Sequence, residues 1–172
     1  QKTNCRYNRK STMKTLPKIL ESSKKIRFQD CDPFNHLNNG KYVDYYINSR
    51  EDQLLENYDI DLFKIIQEES VGWVVSNNQV AFLKPVHTME NIVFESQLIS
   101  FTLRDIQVEM RMWNSEKTIL KSIAWFRFVP FHLKKNQVSK HSQKYMELFE
   151  KVVLPVSENT FEKRELFFRK SK

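Results

Sequence analysis

Gln29-Asp30-Cys31-Asp32-Pro33-Phe34-Asn35-His36-Leu37-Asn38-Asn39-Gly40-Lys41-Tyr42 is the stretch on which the reading of this 172-residue chain turns. Two carboxylates, a histidine and the start of a helical pattern fall between Asp30 and Gly40. Pro33 turns the chain, and Asn38 or Asn39 is a good N-cap. A helix start presents unpaired N–H groups and partial positive charge, where a substrate oxygen can be held. A carboxylate beside such donors supplies what acyl transfer needs: a base or nucleophile, and a place for developing negative charge.

Outward from that junction the periodicity is clear. Gly40 to about Tyr58 reads as helix, with Tyr42, Val43, Tyr46, Ile47, Leu54 and Tyr58 at three- and four-residue spacing. Lys41, Asp44, Asn48 and Asp52 form one narrow polar stripe, so a sheet is expected to wrap the other sides. A short helix, Leu62 to Glu69, follows. After Gly72 the period changes to two, and Trp73–Lys84, Ile92–Phe101, Leu103–Trp113 and Thr118–Val129 read as strands. Lys25–Asp30 is expected to be a strand before the junction, placing Asp30 and Asp32 on one face. Ser142–Val153 is amphipathic, and Phe161–Phe168 has aromatics without a clear period. The plan is α+β: an antiparallel sheet around one long central helix, with a C-terminal helical extension. Domain limits follow: a flexible basic leader at 1–23, the domain at 24–132, and an extension at 133–172 packing on the domain or a partner subunit. Uncovered sheet edges favour a homodimer or homotetramer.

Charge is placed unevenly. Residues 1–25 hold eight basic side chains against one acid, residues 26–130 ten against fifteen, and residues 131–172 ten against five. The body is therefore mildly acidic and the basic balance belongs to the ends, which argues against a nucleic-acid partner. Gly40 and Gly72 are the two glycines, so no Gly-rich phosphate loop can be built. Cys5 and Cys31 are too isolated for a disulfide framework or zinc knuckle. With no apolar run of membrane-spanning length, the expectation is a cytoplasmic protein without a membrane span or cofactor.

The spacing Asp30-Cys31-Asp32-x-x-x-His36-x-Asn38-Asn39-x-x-Tyr42 resembles the motif of hotdog-fold acyl-CoA thioesterases, the 4-hydroxybenzoyl-CoA thioesterase-like superfamily. Val80-Ala81-Phe82-Leu83-Lys84-Pro85-Val86 and Glu90 look like a second block of that family. The resemblance spans roughly residues 24–132. It implies a hotdog fold and hydrolysis of an acyl-CoA to free acid and CoA. It further implies Asp32 as catalytic base or nucleophile, the Asn39 backbone N–H as oxyanion donor, and His36 as a group that orients or polarises near the thioester. Phe34, Gly40, Tyr42 and Lys84 are the expected substrate contacts, with the site at a subunit interface. Plant acyl-ACP thioesterases share the first motif but carry a catalytic Asn where Phe34 stands, which favours the simpler aspartate arrangement.

Other readings of the same residues stay open. Asp32 is also a natural turn cap before Pro33, and His36 a plain loop histidine. Asp30-x-Asp32 fails as a calcium loop because Phe34 and Asn35 occupy the next positions where a ligand and a glycine belong. An acyl-ACP thioesterase, a dehydratase on the same fold and a non-catalytic acyl-CoA-binding module remain as alternatives.

Overall fold

The alternating segments after Gly72 form the strands, and the helical stretch after Asn38 lies against them. The computed structural model describes residues 15–170. Strands β1 (Ile19–Lys25), β2 (Val71–Phe82), β3 (Asn91–Phe101), β4 (Ile106–Asn114), β5 (Leu120–His132) and β6 (Gln137–Val138) make one sheet. Its order is β1-β3-β4-β5-β2, antiparallel throughout, with β6 added to the end of β5. Helix α1 (Tyr42–Tyr58) lies in the curl of this sheet, followed by α2 (Leu62–Glu69). Helices α3 (Gln143–Val152) and α4 (Phe161–Lys170) close the chain.

Helix boundaries follow from local chemistry. Asn38 accepts the Gly40 N–H through its side chain at 2.9 Å and starts a 3-10 turn, Asn39–Lys41, that runs into α1. Asp59 ends α1 in the left-handed conformation, φ 55°, and its N–H returns to the Leu55 carbonyl. Asp61 then caps α2 by accepting the Lys64 N–H at 3.0 Å.

The concave face of the sheet carries Phe94, Val108, Met110, Met112, Ala124 and Phe126 against Tyr42 and Tyr46 of α1. Each of the Phe, Val and Met side chains here contributes about 1.5–3 kcal/mol when fully buried. α3 extends this core with Tyr145, Phe149 and Val152. The convex face is covered by α4, whose Phe161 meets the Trp125 ring edge-on at 5.8 Å. Glu109 and Arg111, the polar partners of the β4 alternation, are thereby buried. Arg164 of α4 pairs with Glu109 at 2.8 Å, and Arg111 bonds both Glu95 and Glu109.

Four expectations change. The first strand is Ile19–Lys25, not Lys25–Asp30, and Phe28–Asp30 is a 3-10 turn. The expected leader therefore joins the sheet from Ile19 on, while its residues 1–14 lie outside the described residues. Asp30 and Asp32 do not share a strand face. The buried side of α1 is Tyr42, Tyr46, Ser49, Arg50 and Gln53, more polar than the apolar spacing implied, because Ser22 and Ser96 of the flanking strands supply polar partners.

Candidate functional site

The motif stretch folds into a tight hairpin that backbone hydrogen bonds hold closed. Cys31 pairs with Leu37, and the Asp32 N–H donates to the His36 carbonyl at 2.7 Å. The Asn38 N–H donates to the Asp30 carbonyl at 2.9 Å, so the helix start is tied to the first carboxylate residue. Asn35, at φ 64°, makes the turn.

Within it, Asp32 Oδ1 accepts two backbone N–H groups, from Phe34 at 2.9 Å and His36 at 3.1 Å. Its second oxygen, Oδ2, has no hydrogen-bond partner among the described residues. The carboxylate is thus oriented by the turn with one oxygen left over. Asp30 has a different environment: its Oδ2 accepts the Tyr45 hydroxyl at 2.9 Å, and that hydroxyl accepts the Arg27 N–H. Lys41 lies 3.9 Å from Asp30 Oδ1. Asp30 is a structural tie between hairpin and helix.

A second segment docks on the hairpin. Leu37 donates to the Val86 carbonyl at 2.8 Å, Thr88 donates to the Asn35 carbonyl, and His36 pairs with His87. The His36 and His87 rings meet edge-to-face at 5.0 Å. Glu90 fixes this segment by accepting the His87 N–H at 2.8 Å and pairing with Lys121 at 2.8 Å. Lys121 also donates to the Pro85 carbonyl. The Thr88 hydroxyl is buried without a partner among the described residues.

The expected residues separate into groups. Asp32 and His36 are joined directly by the hairpin. Asn39 opens the helix, and its N–H has no partner among the described residues, whereas the Gly40 N–H is already taken by Asn38. Tyr42 points into the core against Phe82, and burial pushes its phenol up to about 12. Phe34 stands at the hairpin tip, 79 % exposed. Lys84 lies elsewhere, on a surface hollow of about 490 Å³ shared with Trp113, Phe168 and Arg169. His87, Thr88 and Lys121 were not anticipated. His87 and Thr88 sit just past the Pro85-Val86 step of the second motif, but their pairing with His36 and Asn35 is long-range.

No group of histidine, cysteine and acidic side chains able to hold a metal is found among the described residues. No helix among them is long and apolar enough to cross a membrane.

Comparison with known proteins agrees with this architecture. The family model of the thioesterase-like superfamily matches residues 26–155. Among solved structures, YbaW, a probable thioesterase from Escherichia coli, is 20 % identical with a TM-score of 0.67, covering 78 % of this chain and 99 % of its own. A 1,4-dihydroxy-2-naphthoyl-CoA thioesterase from Synechocystis is 12 % identical, TM-score 0.67, covering 74 % and 93 %. A hypothetical protein from Staphylococcus aureus, solved in complex with CoA, is 8 % identical, TM-score 0.71, covering 83 % and 90 %. A search of curated proteins returned no match. The chain belongs to the thioesterase-like superfamily and is a thioester hydrolase on a hotdog fold.

Proposed function

We propose that this protein hydrolyses acyl-CoA thioesters to a free acid and CoA at the Asp32 hairpin. The observation that carries the reading is the divided carboxylate of Asp32, one oxygen anchored by two backbone N–H groups and the other unpartnered. In this mechanism Oδ2 takes a proton from water as it attacks the thioester carbon, or attacks that carbon itself to form an anhydride that water then opens. The Asn39 N–H, at the helix start, receives the developing oxyanion, a contribution of roughly 3–4 kcal/mol for one donor. The C–S bond breaks, and CoA leaves as a thiolate that takes up the proton. His36 orients the thioester, with His87 packed against its ring. A thiolate is a good leaving group, so a carboxylate and one or two donors suffice.

CoA as the carrier is supported by the CoA complex of the Staphylococcus aureus relative. Exposed Lys84 is our choice for a CoA phosphate contact. β2 is a 12-residue edge strand with Val74 and Val75 exposed at 44 % and 40 %, and we assign it to the subunit interface of a homodimer. α4 occupies the convex face of the sheet, which disfavours a sheet-to-sheet tetramer.

The test is free-thiol release over a panel of acyl-CoAs by the wild type and by Asp32→Asn. Asparagine retains the Oδ1 acceptor for the Phe34 and His36 N–H groups, so the hairpin persists while the base is lost. Thiol release abolished in the variant supports the assignment; full activity in it removes Asp32 from the chemistry. CoA-ester binding without turnover by the wild type leaves a non-catalytic module.

A further inference from the structure

An apolar cavity lies away from the Asp32 hairpin. A space of about 130 Å³ lies between the second half of α1, the concave sheet and α3, walled by Leu54, Leu98, Val108, Phe128 and Phe149. Neither Asp32, His36 nor Asn39 lines it. Tyr46, one turn before Arg50 on α1, is fully buried between Phe94 and Phe126 and fills the core on the hairpin side.

Its wall holds a cation. Arg50 lines the cavity, is 8 % exposed, and makes one hydrogen bond, from Nη1 to Ser96 Oγ at 2.8 Å. Ser96 in turn donates to Gln53. No carboxylate pairs with the guanidinium among the described residues. Burial pushes Arg50 down to about 10, so it is still a cation at neutral pH. Beside it on the helix, the Ser49 hydroxyl is buried without a partner among the described residues. Arg111, also buried, is instead given Glu95 and Glu109. A buried charge without a counter-charge is costly, and a ligand carboxylate supplies the missing partner. Glu51 also reaches the lining, but it is exposed, where solvent screens it.

We propose that this cavity binds a carboxylic acid with a short apolar body, its carboxylate on Arg50 and its tail against Leu54, Phe128 and Phe149. A single water needs about 10–15 Å³ in this measure, so the space takes a ligand of roughly ten heavy atoms. That is a medium-chain or small aromatic acid. Free acids are the product class of thioester hydrolysis, so occupancy makes the protein responsive to its own products. The binding itself does not depend on Asp32.

The experiment is calorimetric titration of the full chain with octanoate and with 1-octanol, on the wild type, on Asp32→Asn and on Arg50→Met. Octanoate is expected to bind one site per chain in wild type and Asp32→Asn, and about tenfold or more weaker in Arg50→Met. Octanol is expected to bind wild type and Arg50→Met alike. Equal affinity of wild type for octanoate and octanol, no octanoate heat at millimolar concentration, or unchanged octanoate affinity in Arg50→Met overturns the proposal. Should Arg50→Met fail to fold, Leu54→Trp decides, since it fills the cavity and keeps Arg50. Octanoate binding retained there excludes this cavity.

Discussion

Asp32 and His36 grip each other through the backbone: the Asp32 N–H donates to the His36 carbonyl at 2.7 Å, and the His36 N–H returns to Asp32 Oδ1 at 3.1 Å. The turn that presents the carboxylate is therefore built by the carboxylate. In the proposed mechanism, structural and catalytic roles fall on different oxygens of one group.

Substitution at Asp32 separates those roles. Asp32→Asn is expected to reduce kcat by about 10²–10⁴-fold, the range for a lost general base, with little change in Tm. Asp32→Ala removes the acceptor as well, leaving two N–H groups to find water, and is expected to cost about a further 1–3 kcal/mol of stability. Kinetics and thermal melts of the two variants together make the check. Equal Tm in both would show that the turn does not need Oδ1.

The ion cluster under α4 sets an acid limit to stability. Burial by itself would raise the Glu109 carboxyl, but hydrogen bonds from Arg164 and Trp125 and the charge of Arg111 outweigh it and hold Glu109 below the ordinary glutamate value. A depressed folded-state value means that the contribution is complete above the unfolded value near 4.5 and is lost as pH falls through the folded value. Urea midpoints between pH 7 and 3 are expected to fall more steeply in wild type than in Glu109→Gln. Parallel curves would show the cluster to be energetically silent.

Arg164→Ala leaves Glu109 to Arg111 and Trp125 and removes the clamp from α4. Breaking one side of a buried pair costs about 3–5 kcal/mol, with local release of α4 as the upper limit to what the whole fold loses. Limited proteolysis is expected to cut within 156–170 in the variant, with thioesterase activity retained. An unaltered digestion pattern would mean that Phe161 alone holds the helix.

His141 links α3 to the sheet in its neutral form. Trp73 donates its indole N–H to His141 Nε2 at 3.1 Å, and the Nδ1–H donates to the Thr102 carbonyl at 3.0 Å. Burial lowers the His141 pKa despite that carbonyl, so this contribution is present above about 6.5 and lost as pH falls below it. Trp73 fluorescence and Tm are expected to shift between pH 7.5 and 5.5 in wild type and not in His141→Gln.

The β2 edge is expected to carry the homodimer. Val74→Lys with Val75→Lys places two charges on the open strand, and sedimentation is expected to show monomer with activity reduced. A monomeric wild type would end the interface assignment.

Much of this was legible in the residues. The change of period at Gly72 marked β2 to β5, and the spacing in α1 and α2 marked the helices, because apolar side chains recur with the period of the element that carries them. The hairpin motif with its caps was legible too, since Asn38 and Asp32 act on N–H groups two to four residues away. What local pattern could not carry was any partner distant in sequence. β1 lay hidden in a basic segment because its identity comes from pairing Ile19–Lys25 with Asn91–Gln97. The buried polar side of α1 was missed because Arg50 and Gln53 count as exposed residues until Ser96 and Ser22 are placed beside them. α4 had no clear period, and its place depends on Trp125 and Glu109 across the sheet.

The sequence by itself determined the α+β plan, the central helix and the turn that orients Asp32, because those arise from interactions within a few residues. Only the tertiary structure decided that His87 packs on His36, that the convex face is covered by α4, and that Arg50 faces a cavity without a counter-charge. Those features depend on side chains far apart in the chain meeting where water has been excluded, and no local periodicity encodes such a meeting.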